Sequence, residues 1–123
     1  MKKWDPKEEL ESDICIEFID QYGVLDALNQ FRPDLFMFHV PNERKCSVQQ
    51  RVKLARMGVV AGVSDYIIFF GNKWAAIEFK RSEKEMKKLN EPQSTFKTMC
   101  ERHGAPYLLT CKEEEAIEFL KSL

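Results

Sequence analysis

The sequence predicts an α/β domain in which a mixed central β-sheet is flanked by α-helices. Two apolar runs on either side of Gly71-Asn72 signal a β-hairpin. Stretches with helical apolar spacing stand before and after that hairpin, and two further short apolar stretches read as lone strands. The resulting order is helix, strand, helix, hairpin, helix, strand, helix, which suits one sheet covered by helices. A chain of 123 residues with 44% hydrophobic content is expected to form one domain spanning residues 1–123.

The first helix is expected over Glu8 to Tyr22, from the spacing of Leu10, Ile14, Phe18 and Ile19. Gly23 is expected to end or interrupt it, with Val24 to Phe31 as a further turn or two before Pro33. Leu35 to Val40 is a short apolar strand closed by Pro41-Asn42. Ser47 to Met57 reads as a helix with Ser47 as N-cap and Gly58 past its end. The charged stretch Ser82 to Glu91 is expected to be an exposed connection. Pro92 suits the first turn of a helix running to about His103, followed by Gly104. Ala105 to Thr110 is the last strand, and Glu113 to Leu123 a terminal helix with acids in its first turn.

The hairpin carries the most chemical information. A two-residue loop sets Phe70 opposite Lys73, and counting outward sets Asp65 opposite Glu78. Opposed residues share a face, and period-two alternation adds Lys80 to it. Two carboxylates and an ammonium therefore converge at one end of the hairpin. Like charges directly opposed on a sheet repel. A hard divalent cation such as Mg²⁺, held by one or two carboxylates, would relieve that repulsion. The alternative is a solvated strand end where the acids splay apart.

No apolar run approaches the roughly 20 residues that span a bilayer, and no apolar segment follows the basic amino terminus, so a cytoplasmic location is expected. Cys15, Cys46, Cys100 and Cys111 form no CxxC pair and are expected to be reduced. Cys100 and His103 stand one helical turn apart without the second pair that zinc requires. The net charge of −1 does not advertise a nucleic-acid binder, but its distribution is uneven. Residues 43–56 set Arg44, Lys45, Arg51, Lys53 and Arg56 against Glu43 alone. This segment leads into the approach to Asp65, and Lys80-Arg81 leaves the far side, so it reads either as a phosphate footprint or as a solvated helix face.

Three other residues stand out. Glu11 borders the apolar face of the first helix and is either a flank residue or a third oxygen ligand. Gln93 opens the helix after the hairpin, where its amide either faces solvent or meets a phosphate or water. Asn42, in the turn after the first strand, suits an Asx turn.

Glu11-Ser12-Asp13-Ile14, Val40-Pro41-Asn42-Glu43, Arg56 to Asp65, Ile77-Glu78-Phe79-Lys80-Arg81 and Pro92-Gln93 occur in that order. This ordered set resembles the PD-(D/E)xK nuclease superfamily, and within it the virus-type replication-repair nuclease (VRR-NUC) domain. An isolated Glu-x-Lys is common by chance; the ordered set with a glycine-rich approach to Asp65 carries the resemblance. The sequence departs from the family at Ser64, where Pro is common, and at Cys15, where Gln is frequent.

The resemblance implies a restriction-endonuclease-like core and Mg²⁺- or Mn²⁺-dependent cleavage of DNA phosphodiester bonds. Asp65, Glu78 and the Phe79 main-chain carbonyl would hold the metal, with Glu11 completing its shell. Lys80 would orient or deprotonate water or meet phosphorane charge, and Gln93 would position water or phosphate. Asn42, Arg44, Lys45, Arg51, Lys53, Arg56 and Arg81 would contact DNA. Stand-alone members resemble four-way-junction (Holliday-junction) resolvases acting as homodimers, and that is the expected activity. Alternatives are a flap or nicking nuclease on branched or single-stranded DNA, and a catalytically inactive nucleic-acid-binding subunit. The resemblance also suggests a phage or prophage protein acting in a bacterial cytoplasm. Trp74 and Phe119 would form either core or a dimer face.

Overall fold

The computed structural model describes residues 6–27, 32–41 and 47–123, with side chains in the first helix described from Glu11 to Asp26. Its elements are α1 (Pro6–Ala27), β1 (Leu35–His39), α2 (Val48–Arg56), β2 (Tyr66–Phe70), β3 (Lys73–Phe79), α3 (Glu83–Met86), α4 (Glu91–Arg102), β4 (Tyr107–Thr110) and α5 (Glu113–Ser122). The chain is thus mixed α/β. No helix among the described residues is long and apolar enough to cross a membrane.

The sheet follows the order β1-β2-β3-β4. β1–β2 and β2–β3 pair antiparallel, while β3–β4 pair parallel. Phe70 faces Lys73 across the Gly71-Asn72 turn, the register that a two-residue loop requires. Gly71 has φ 59°, a left-handed conformation that most side chains resist. The parallel pair needs a crossover, supplied by α3 and α4.

Alternation divides the sheet into two faces. On one, Ile68, Phe70, Ala75, Ile77 and Phe79 pack with Phe18 of α1 and Ala116, Ile117 and Leu120 of α5. Phe18 is fully buried and meets the Tyr66 ring edge-on at 5.1 Å. On the other face, Ile67 and Ala76 pack with Cys100 and Ala105, with Trp74, Phe96 and Tyr107 at the margin. Trp74 and Phe119 are each partly buried and packed against a core cluster.

Two local expectations are corrected. α1 runs through Gly23 without interruption. Tyr22 and Leu25 pack on the core to either side of it, and that burial outweighs the roughly 1 kcal/mol helical cost of glycine. The connection after the hairpin contains the short helix α3, whose N-cap Ser82 accepts from the Glu85 N–H. Arg81 pairs with Glu85 at 2.9 Å across the same turn.

Candidate active site

The β2–β3 ladder ends at Tyr66 opposite Ile77, so Asp65 stands one step beyond it. The Asp65 carbonyl accepts the Val40 N–H at 2.8 Å, and its Oδ2 accepts the Phe79 N–H at 2.7 Å. The carboxylate thus takes a donor that a continuing ladder would have given to backbone. This bond fixes Asp65 against the end of β3, beside Glu78. The two share the face of Ile67 and Ala76, as the register demands.

Glu78 and Lys80 are both buried, at 6% and 9% exposure. Lys80 Nζ donates to Gln93 Oε1 at 3.0 Å, and Gln93 Nε2 donates to Glu78 Oε1 at 3.3 Å. Gln93 is therefore a bridge between the buried acid and the buried ammonium, not a solvent-facing residue of a first turn. It is held in turn by a reciprocal cap. Its N–H donates to Asn90 Oδ1 at 2.9 Å, and the Asn90 N–H donates to Gln93 Oε1 at 3.2 Å. Lys80 is fixed from behind by its own N–H, which donates to the Thr110 carbonyl at 2.9 Å.

Burial pushes the Glu78 carboxyl up to about 8, with the Asp65 charge acting in the same direction. Lys80 opposes that rise and Glu11 adds to it, so Glu11 of α1 lies within the field of the pair. Tyr107, at the margin of the same face, has its hydroxyl held well above the usual phenol range by burial and by the Glu78 charge. Glu11 and Asp65 also line an open groove of about 460 Å³ between α1 and the ends of β1 and β2. His39 stands on its wall, its ring 5.1 Å from that of Tyr66.

No protein-family model, curated protein or solved structure matches this chain. The site must be read from its own geometry. Among the described residues no three His, Cys, Asp or Glu side chains form a ready-made metal cage. The donor set is one buried carboxylate, a second anchored beside it, and a third across the groove. This suits a hard cation that keeps waters and takes substrate oxygens, the habit of Mg²⁺, better than a closed protein cage.

The structure thus brings Asp65, Glu78, Lys80, Gln93 and Glu11 to one end of the sheet. Arg51, Lys53 and Arg56 lie exposed on α2. Arg81, expected to meet DNA, pairs with Glu85 at 2.9 Å. Asn42, Arg44, Lys45 and Cys46 lie outside the described residues.

Gly62 has a structural role that its sequence context does not announce. It has φ 82°, and a Cβ there would stand 2.2 Å from the Pro92 carbonyl carbon and 2.6 Å from the Gln93 nitrogen. The bare backbone lets the approach to Asp65 lie directly against the first turn of α4, which carries Gln93. Thr110 and Asn90 support Lys80 and Gln93 by accepting their backbone N–H groups. Asn90 three residues before Gln93 is a readable cap signal. Thr110 leaves no local signal, because its contact is made across the sheet.

Proposed function

We propose that this chain is a metal-dependent DNA endonuclease with a restriction-endonuclease-like core. The observation that carries this reading is the buried Glu78, beside Asp65 and bridged through Gln93 to Lys80 on the same sheet face. Two neighbouring acids with one driven toward its protonated form are an unfavourable arrangement for stability alone. They suit a site that gains a cation.

Asp65, Glu78 and the Phe79 carbonyl would hold Mg²⁺ or Mn²⁺, with Glu11 reaching it from α1. Bound there, the ion would lower the pKa of a coordinated water and neutralise charge on the phosphorane. Asp65 contributes a fixed oxygen, because the Phe79 N–H restrains its carboxylate. A strand residue directs its N–H and C=O to the same side, so the Phe79 carbonyl is expected on the Asp65 side as well. Lys80 supplies an ammonium already desolvated, to orient the attacking water or meet developing negative charge. Gln93 keeps that ammonium aimed and holds the free edge of Glu78.

Four-way junctions cut by a homodimer are the proposed substrate and assembly, on the resemblance to the stand-alone VRR-NUC nucleases. The test is cleavage of a labelled four-way junction with Mg²⁺ or Mn²⁺, beside linear duplex and a 5′ flap, with Glu78→Ala as control. Paired symmetric nicks absent in the variant support the resolvase. Preferred flap cleavage moves the substrate to branched DNA with a free strand. Junction binding without cleavage under either metal overturns the enzymatic reading. A monomer at all concentrations in sedimentation removes the paired-nick model.

A further inference from the structure

Among the described residues, the sheet face that carries the candidate site is covered along only part of its width. α4 covers it over β3, where Phe96 lies 6.3 Å from Trp74 and Cys100 packs with Ala76. Over β1 and the distal half of β2 three phenylalanines stay exposed: Phe36 at 65%, Phe38 at 40% and Phe69 at 48%. The register shows that they form one surface. Phe36 faces Phe69, Phe38 faces Ile67, and Phe69 faces Trp74, so all stand on the α4 side. Their rings touch, with centroids 6.1 Å apart for Phe36–Phe38 and 6.0 Å for Phe38–Phe69.

Large aromatic residues are ordinarily buried on a sheet, so an uncovered trio marks a binding surface. At ~200 Å² for a fully exposed phenylalanine, the exposed fractions amount to roughly 300 Å² of ring surface. That is well under the ~800 Å² per partner of a stable protein interface. It is the scale of a few stacked bases. Position points the same way. Phe69, Ile67 and Asp65 succeed one another on this face at two-residue steps of about 7 Å each. A strand lying on the rings would thus come within about 14 Å of Asp65.

We propose that Phe36, Phe38 and Phe69 form a stacking platform for unpaired DNA bases beside the Asp65–Glu78 site. Every base has a π-face, so the platform is indifferent to sequence and selects for single-strandedness. Duplex DNA, with its bases already stacked, gains nothing from it. The proposal rests on the nuclease reading and deepens it. It assigns the site a substrate with an unpaired strand next to the scissile phosphate, which moves the expected substrate from the fully paired four-way junction to a flap or other branched DNA with a free strand.

The experiment is fluorescence-anisotropy binding of a labelled oligothymidylate and of a duplex of the same length, in Ca²⁺ or EDTA so that no cleavage is required. Phe38→Leu and the double variant Phe36→Leu/Phe69→Leu keep apolar bulk and lose the ring. They are expected to weaken oligothymidylate binding by about 5-fold to 150-fold at ~1–3 kcal/mol per stacked base, with duplex affinity unchanged. Phe38→Trp should retain or tighten binding. Equal loss on duplex, or no loss in either leucine variant, overturns the platform. So does a concentration-dependent dimer in sedimentation that the leucine substitutions dissociate while leaving oligothymidylate affinity alone, since the patch would then be a self-association surface. Ring-dependent binding without cleavage under any metal would sink the nuclease reading and leave the platform standing. Metal-dependent cleavage with ring-independent binding would do the reverse.

Discussion

The β2–β3 hairpin and helix α2 are near neighbours in the chain, and they are held in opposite ways. Ile67, Ile68, Phe70, Ala75, Ala76 and Ile77 of the hairpin are all buried between two layers of helix. α2 buries none of its residues, and Val48 and Val52 stand 70% and 55% exposed. Its order rests on its own termini. Ser47 accepts from the Gln50 N–H while the Gln50 side chain accepts from the Ser47 N–H. The candidate site therefore sits on the most constrained part of the molecule, and the cations of α2 on a part with little tertiary support. Regions with few buried contacts open locally at lower free energy. If the chain is the proposed nuclease, a rigid centre served by a loosely held basic helix would let phosphate contacts adjust while the reacting groups stay fixed.

The largest effect that would sharpen this contrast lies at the centre. Glu78→Ala and Lys80→Ala should each lower cleavage by about 10³-fold or more, as loss of a preorganised charge does, with the far-ultraviolet spectrum unchanged. Arg51→Gln with Arg56→Gln should instead weaken DNA binding and flatten its salt dependence by about two ion releases, leaving the rate at saturating DNA nearly intact. Single-turnover rates against DNA concentration separate the two. Near-normal cleavage by Lys80→Ala would remove it from the mechanism.

Gly62→Ala tests how far the rigid region extends. Its Cβ would meet backbone at 2.2 Å and 2.3 Å, so the first turn of α4 must move. A cost of about 3 kcal/mol or more in urea unfolding is expected, since both strain and lost packing contribute. Metal-dependent cleavage should fall with it, because the displaced turn carries Gln93. Gly58→Ala is the matched control. It also has positive φ but its Cβ would meet nothing within 4 Å, so only the backbone strain remains.

These residues show what was legible in the sequence. Gly71-Asn72 announced the loop, loop length fixed the register, and the register put Asp65 and Glu78 on one face. Ser47 announced the start of α2. Each inference used neighbours within a few positions. Gly62 against Pro92, Lys80 on Thr110, and Gln93 between Glu78 and Lys80 join distant segments, so no local pattern encodes them. Gly23 misled for the related reason that packing of Tyr22 and Leu25 overrides a local preference. The uncovered phenylalanines were invisible too, because an apolar strand residue reads as core whether or not a helix arrives to cover it.

The buried acid makes a pH prediction for the metal-free protein. Glu78 titrates at about 8 when folded, against 4.5 for an ordinary glutamate, so the folded state holds a proton that the unfolded chain has released. Its contribution is fully present below about 4.5 and is lost as pH rises through about 8. Thermal unfolding in EDTA should fall across that window by more than in Glu78→Gln, which has no charge to expose. Mg²⁺ should restore stability at the alkaline end, where the carboxylate is available, and add little at the acid end. Asp65→Asn should abolish the Mg²⁺ increment. A flat pH profile in EDTA would mean that Glu78 is ionised throughout and that the site is already balanced without metal.

The smallest effect bears on the other region. Ser47→Ala removes one half of the capping box of α2, at a typical cost of about 1 kcal/mol to the helix. α2 buries nothing, so this loss has no packing to resist it, and a nine-residue helix is marginal without its cap. Amide exchange across Val48–Arg56 should therefore quicken by about 5-fold, the Boltzmann factor of that cost, while exchange in β2 and β3 stays as it was. Global melting should shift little, because the core does not include α2. If Ser47→Ala instead lowered the melting temperature as much as a core substitution, α2 would be part of the cooperative unit. The division between a rigid centre and a locally held basic helix would then fail at its simplest test.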